Sequence, residues 1–354
     1  MASSSPRLRC LAVLIVLRAA TCFLSPNRRN RARGDELAAT PTDAIFSNLV
    51  SFVRQNGGKV TDDLRLADTA PCGARGLVAG APLEASRARV GPLLVVPARC
   101  VLDRERALRD LTPLVPASVL RDAPLDTLDG AALITLLLAR ERALGAASFY
   151  APYIASLPQT PPCAWWGGAA ARARALDACA ACPADEREEW AAELERAAAY
   201  SARVSMGMAG DYGDALGVDA DGIEWALATL SSRSMGGQDA PCLVPLLDLV
   251  NHDAAWHAFT GHWIEELPET FVVGRQIEQT GGLENGGLVK IETGLAAGDW
   301  AYWAWDVDGR APRGREPGEE LYANYLAEDY TPFEWFMNLG YIPPEVARSM
   351  PYAY

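Results

Sequence analysis

The chain has 354 residues, 50% of them hydrophobic and 22% charged, enough to bury the core of one large domain or two ordinary ones. Eight cysteines, 24 prolines and 30 glycines are too few or too scattered for a disulfide scaffold, a collagen-like repeat or a low-complexity chain. The formal charge of −13 argues against a protein that coats nucleic acid, which needs clustered Lys and Arg, and suits a basic partner instead.

Residues 1–22 read as a signal peptide. Arg7 and Arg9 precede the apolar run Leu11–Leu17, which is too short to span a bilayer, and the small residues Ala19, Ala20 and Thr21 lead to Cys22. Residues 23–40 read as a transit peptide: Phe23-Leu24-Ser25-Pro26 is followed by Arg28, Arg29, Arg31 and Arg33 with no acid among them. The two together resemble the two-part leaders that carry proteins into plastids bounded by extra membranes, with simple secretion as the alternative destination. Removing residues 1–33 takes away seven arginines and no acid, leaving 25 basic residues against 45 acidic ones and a charge of −20. No later segment reaches membrane-spanning length, so no membrane partner is expected after processing.

From Ala44 to Asn56 the spacing of Ile45, Leu49, Phe52 and Val53 predicts a helix, ended by Gly57-Gly58. Gly76–Ala79 and Pro92–Pro97 then read as short buried strands bounded by Gly and Pro. Leu133–Leu144 is strongly helical. The Ala/Arg/Glu-rich span 168–205 is predicted helical as well, with a start after Pro183 where Asp185 supplies an acid at the cap. A further helix over Asp221–Met235 carries Ile223, Leu227 and Leu230 on one face. Strand-like residues return at Cys242–Leu247, Phe271–Val273, Leu288–Ile291 and Ala301–Trp305, before a final helix near Phe333–Leu339. Strands, a helical block over about 131–240, then strands again predict an α+β fold with a helical insertion rather than alternating βαβ units.

No phosphate-binding loop or strand–G-x-G-x-x-G–helix unit is present, so a nucleotide-binding doubly wound fold has no anchor. All three histidines, His252, His257 and His262, fall within eleven residues beside Asp248 and Asp253. Spacings of five scatter them over different faces of a helix or strand, so convergence on one ion would require an irregular loop, and no metal is assigned. Cys179 and Cys182 lack a second C-x-x-C pair and read as two small buried thiols in the helical block.

Two other segments carry more. Leu243–Val250 is an apolar stretch that ends in Asp248, Asn251 and His252, and a distant Gly318-Glu-Glu-Leu turn feeds Tyr322 and Tyr325, which together suggest a pocket wall and a reactive edge. These segments resemble the two signature motifs of SET-domain protein methyltransferases. The subgroup is the one with a helical insertion that includes the plant Rubisco large-subunit lysine methyltransferases and the actin-histidine methyltransferase. Further matches occur in the right order: Gly73-Ala-Arg-Gly76-Leu-Val-Ala79, Pro92–Pro97, Leu136–Gly145, Ser148–Tyr153, Leu157-Pro158, and Trp225-Ala226 with Ser232-Arg233-Ser234.

The resemblance covers residues 44–345 and implies a SET domain over 41–354 with S-adenosyl-L-methionine as cofactor. It implies that the cofactor lies against main chain at Gly73, Ala74 and Arg75, that Arg233 meets its carboxylate, and that Asp248, Asn251 and His252 complete the cofactor side. Tyr325 falls at the reaction centre, with Tyr322 and Met235 as walls for the substrate side chain. The implied reaction is methyl transfer to a lysine of a protein, such as the plastid protein Rubisco, with Tyr325 as an orienting hydroxyl rather than a strong base. A protein-histidine methyltransferase is the alternative, but its resemblance would require asparagine where Met235 stands. The chain departs from the family at Tyr330–Trp335 and Gly340, and no helical substrate-docking domain is expected before Tyr354. A target would then be recruited by other surfaces, or the chain would be a catalytically weak SET-like binding protein.

Overall fold

Helix α1 (Pro41–Gln55) forms on the predicted spacing and buries Leu49, Phe52 and Val53. The structure, a computed structural model, describes residues 41–70, 72, 74–83, 92–236, 240–256, 271–272, 290–291, 298–302, 314–325, 327 and 330–348. The leader read over residues 1–40 lies outside them, as does most of the long glycine-bearing stretch between His252 and Gly318.

Four short strands follow α1: β1 (Lys59–Val60), β2 (Leu64–Ala67), β3 (Gly76–Ala79) and β4 (Leu94–Val96). β2 and β3 pair antiparallel, with Leu64 opposite Ala79 and Ala67 opposite Gly76. β3 and β4 are buried along their whole length, which is why they appear as continuous apolar runs rather than alternating patterns.

Helices α2 (Arg104–Leu111) and α3 (Ala117–Asp122) lead to α4 (Gly130–Leu144), the axis of the insertion. The Asp129 side chain caps α4 by accepting from the Ala132 N–H at 2.8 Å. Every residue from Ala131 to Ala139 is buried, because α4 packs between α2 and the last insertion helix. α5 (Ala151–Ser156), α6 (Ala169–Ala178), α7 (Arg187–Leu216) and α8 (Ala220–Arg233) complete the block.

The helical composition expected over 168–205 forms two helices, the second beginning, as expected, after Pro183. Pro183 has no N–H to give and disfavours helical backbone in Cys182, so the chain turns between Cys179 and Glu186. Cys179 and Cys182 therefore sit in this turn, half-buried rather than inside a helix. Asp185 is not the cap of α7. Glu186 takes that position, and its carboxylate accepts from the Trp190 indole N–H at 3.0 Å instead of capping the backbone.

A second correction concerns Cys242–Leu247, expected as a strand. Only Cys242 and Leu243 bridge, to Met235 and Leu102, after which the chain turns at Leu246 into a 3-10 turn over Leu247–Leu249. All ten residues of 241–250 are buried, so their apolar run had the same signature as a core strand. Beyond it come β5 (Asn251–His252), β6 (Phe271–Val272), β7 (Lys290–Ile291), β8 (Trp300–Tyr302) and β9 (Tyr322–Ala323). β8 joins β1 and β4 in a three-stranded antiparallel sheet, and β6 pairs with β7.

The chain closes with α9 (Pro332–Leu339) and α10 (Pro344–Arg348). α9 is fastened to the insertion: the Ala164 N–H donates to the Met337 carbonyl at 2.9 Å, and Phe336 packs with Trp165, Trp190 and Leu194. Among the described residues no helix is long and apolar enough to cross a membrane.

α9 starts with a reciprocal cap, in which the Glu334 N–H donates to Thr331 Oγ1 at 3.2 Å and the Thr331 N–H donates to Glu334 Oε2 at 2.7 Å. Thr331→Ala should lower the unfolding free energy by about 1 kcal/mol in urea titration. No loss would show that tertiary packing alone sets this helix start.

Candidate active site

The two motifs meet because of one tight turn. The Glu319 N–H donates to the Glu316 carbonyl at 3.0 Å, with Pro317 second and Gly318 third at φ +86°, the arrangement of a type II turn that favours glycine there. The turn lays residues 318–321 antiparallel along β3, through Gly318 N–H to Ala79 carbonyl at 2.7 Å and Leu321 N–H to Leu77 carbonyl at 2.9 Å. The chain then enters β9, parallel to β5, with Asn251 opposite Tyr322 and His252 opposite Ala323.

On the insertion side, Arg233 ends α8 and points at Asp248 on the 3-10 turn. Its Nη1 donates to the Asp248 carbonyl at 2.9 Å and lies 3.3 Å from Asp248 Oδ2, which also accepts from the Tyr153 hydroxyl at 3.0 Å. The Asp248 side chain is 0% exposed and that of Arg233 15%. Burial pushes the Asp248 carboxyl above the usual carboxylate range, while the Arg233 charge and the Tyr153 hydrogen bond oppose the rise. Burial likewise raises the Tyr153 phenol well above its ordinary value, so it remains a donor. The Asp248 position depends on Leu246, a buried non-glycine residue at φ +71°, a conformation that costs about 1–3 kcal/mol.

Arg75 approaches the same cluster from the turn before β3. Its Nη1 donates to the Ser156 carbonyl at 2.8 Å, and its Nε lies 3.9 Å from the exposed Asp68. Burial lowers its guanidinium, and the neighbouring Arg233 charge lowers it further. The Arg75 charge adds to that of Arg233 in the field at the buried Asp248 carboxylate. Among the described residues, three fully buried polar atoms of this cluster, Arg75 Nε, Arg233 Nε and Asp248 Oδ1, have no hydrogen-bond partner.

Asn251 sits beside this cluster with its Nδ2 2.6 Å from Glu320 Oε1, 69 positions away in sequence, and 3.2 Å from the Arg75 carbonyl. Cys72 joins them, its N–H donating to Glu320 Oε2 at 2.9 Å. Gly76 passes directly behind: a Cβ there would stand 2.4 Å from Asn251 Nδ2 and 2.6 Å from Glu320 Oε1.

The Tyr325 hydroxyl donates to the Val250 carbonyl, and its N–H donates to His252 Nδ1 at 3.2 Å. The imidazole lies between Tyr325 and Trp335, with ring centroids 5.1 and 5.2 Å away, and its Nε2 is 3.3 Å from Glu345 Oε1. The side chain of His252 is thus engaged by Tyr325, Trp335 and Glu345. The Tyr322 hydroxyl donates to Glu320 Oε2 at 2.8 Å, while its own carbonyl accepts from Tyr302 at 2.7 Å. Burial and the Glu320 charge push the Tyr322 phenol upward, so it stays protonated. Met235 is buried and bridges Cys242 two residues beyond Arg233.

Of the residues expected from sequence, the structure brings together Ala74, Arg75, Arg233, Asp248, Asn251, His252, Tyr322 and Tyr325, with Met235 at the end of the Arg233 segment. Gly73, His257 and His262 lie outside the described residues. Among the described residues no cluster of His, Cys, Asp and Glu is disposed to hold a metal ion. Sequence reasoning assigned no role to Tyr153, Cys72 or Glu320. Glu320 carried a signal, since an extended chain places it on the same side as Tyr322, two positions on.

Gly76→Ala should destabilise the protein by about 1–3 kcal/mol, because the new methyl group enters the Asn251–Glu320 contact. An unchanged denaturation midpoint would contradict this geometry.

No protein-family profile matches the chain, and no curated protein matches it in sequence. Solved structures do match. The SET domain of LSMT bound to lysine and AdoHcy superposes with a TM-score of 0.56 at 17% identity, over 86% of this chain and 58% of that one. Rubisco LSMT bound to AdoMet, and Rubisco LSMT bound to sinefungin and monomethyllysine, each give 0.54 at 16% identity, over 86% of this chain and 57% of theirs. The chain therefore spans less than two thirds of the length of these structures, and the likeness establishes a SET-domain fold.

Proposed function

We propose that this protein is an S-adenosyl-L-methionine-dependent protein-lysine N-methyltransferase. The observation that carries this reading is the hydrogen bond of the Tyr325 phenol to the Val250 carbonyl, one residue before Asn251 and two after the Asp248 that pairs with Arg233. The structures it resembles are of LSMT with lysine or monomethyllysine and with AdoMet, AdoHcy or sinefungin.

The residues fit the cofactor. The buried Nε atoms of Arg75 and Arg233, without a hydrogen-bond partner among the described residues, suit a carboxylate, and the likewise unbonded Asp248 Oδ1 suits an ammonium, the two ends of an amino-acid zwitterion. Arg233 would hold the carboxylate, Asp248 would balance the two guanidinium charges, and Ala74, Arg75, Asn251 and His252 would form the wall. When bound, S-adenosylmethionine supplies a methyl group activated by its sulfonium.

The protein's share of the chemistry is then alignment and exclusion of water. The Tyr325 hydroxyl donates its hydrogen bond to the Val250 carbonyl, so it would orient an amine as an acceptor. A phenol with a reference pKa of about 10 is a poor base at neutral pH, which assigns Tyr325 to orientation. Met235 offers the substrate wall a thioether with no strong donor or acceptor, which favours an aliphatic lysine stem over an imidazole. The basic target side chain also suits the acidic chain. The two-part leader supports a plastid destination, and with it a plastid substrate such as Rubisco.

The test is incubation of the protein with methyl-labelled S-adenosylmethionine and plastid extract, followed by mass spectrometry. Label on lysine is expected. Label on histidine would move the assignment to imidazole methylation, and cofactor binding with no transfer would make the protein a SET-like binding protein. Tyr325→Phe should lower kcat by about 10²-fold while the cofactor Kd changes less than about twofold. Equal turnover in the two proteins would remove Tyr325 from the reaction centre. Arg233→Ala should weaken cofactor binding by about tenfold or more in calorimetry, the loss of a charge-assisted contact. Unchanged affinity would remove it from the pocket.

A further inference from the structure

Glu320 is 2% exposed, and among the described residues no Lys or Arg pairs with it. A buried carboxylate without a cation persists only if its acceptor capacity is filled. Here it is. Oε1 lies 2.6 Å from Asn251 Nδ2 and 3.0 Å from the Cys72 Sγ, and Oε2 lies 2.9 Å from the Cys72 N–H and 2.8 Å from the Tyr322 hydroxyl. Four donors meet the four lone-pair sites of the two oxygens. They come from three separate stretches of chain: the turn before β3, strand β5 and strand β9.

The same contacts fix one rotatable group. Asn251 Nδ2 faces three acceptors, with Glu320 Oε1 at 2.6 Å, the Arg75 carbonyl at 3.2 Å and the Cys72 Sγ at 3.2 Å. Rotating the amide by half a turn would bring Oδ1 against a carboxylate and a carbonyl, two like-signed partners. The amide is therefore held in one orientation, with Nδ2 inward to Glu320 and Oδ1 committed to the opposite side. Gly76 leaves the room for this, since any side chain there would separate Asn251 from Glu320.

We infer that Glu320 is a positioning residue for the cofactor site, setting the orientation of the Asn251 amide and tying Cys72 to it. This rests on the reading of Asn251 as a cofactor residue. Glu320 acts through Asn251 and does not touch the cofactor. A neutral glutamine in its place offers one acceptor oxygen instead of two and directs an N–H at a neighbouring donor, so it releases at least one of the contacts that hold the amide.

A double-mutant cycle tests this directly. S-adenosylmethionine is titrated calorimetrically into the wild type, Glu320→Gln, Asn251→Ala and the double variant. Glu320→Gln is expected to weaken binding about tenfold in the wild-type background and less than about twofold in the Asn251→Ala background, because coupled residues are non-additive. Equal losses in both backgrounds, or no loss in the first, would overturn the assignment. If Glu320→Gln does not fold, Glu320→Asp, which keeps the charge and shortens the reach, takes its place in the same cycle with the same two readings.

A measurement without cofactor separates this inference from the functional one. Iodoacetamide labelling of Cys72, located by peptide mass spectrometry, should accelerate at least about threefold in Glu320→Gln, because the carboxylate no longer holds the thiol. Labelling of Cys179 and Cys182 should stay as in the wild type. An unchanged Cys72 rate would overturn the clamp whether or not the cofactor binds. Failure of the wild type to bind S-adenosylmethionine, with Cys72 still responding, would contradict the cofactor reading and leave the clamp standing.

Discussion

The site depends on the parallel pairing of Asn251–His252 with Tyr322–Ala323. Parallel strands cannot be joined by a hairpin and need a long connection, so a chain pays substantial closure entropy to bring them together. Two-residue strands return few hydrogen bonds for that cost. The balance is met by burial on the insertion side, where 241–250 is buried throughout, and by the antiparallel docking of 318–321 on β3. Tyr325 lies two residues beyond β9, so its phenol reaches the Val250 carbonyl only while this pairing holds.

The second feature is the treatment of charge. A chain with a formal net charge of −13 gathers two arginines, Arg75 and Arg233, around one buried carboxylate. Burying such groups is costly, and an apolar cluster of the same size would fold at least as well. The strained backbone at Leu246 adds to the cost in the segment that sets Asp248. Expense of this kind, with buried polar atoms that lack hydrogen-bond partners among the described residues, suits a place where a ligand completes the network. On the other side of Asn251, the Glu320 carboxylate has its lone pairs filled by the protein itself, so the two halves of the wall differ in what they can still accept.

Much of this was legible in the sequence, for reasons that can be named. The α1 spacing, the Gly-bounded strands at 76–79 and 94–96, the leucine-rich α4 and the Ile223, Leu227 and Leu230 face of α8 are local signals, and their elements formed within a few residues of the expected ends. The Cys242–Leu247 run was misread because a stretch buried on all sides has no period, whether it is a strand or a turn wrapped in core. The break at Cys179–Glu186 lay in Pro183, whose effect on the preceding residue outweighed the alanine-rich composition around it. Arg233, Asn251 and Tyr325 were singled out through motif resemblance rather than through any local pattern. Tyr153 and Cys72 were missed because their importance comes from partners 95 and 248 positions away. Only the folded chain brings such partners together.

The proposed site requires that three distant segments, residues 74–76, 248–252 and 320–325, form one continuous binding wall. Hydrogen–deuterium exchange across an S-adenosylmethionine titration measures that most directly. Peptides covering all three segments should gain protection together and reach saturation at the same concentration, while α6 is unaffected. Protection confined to one segment, or none at saturating cofactor, would contradict the account.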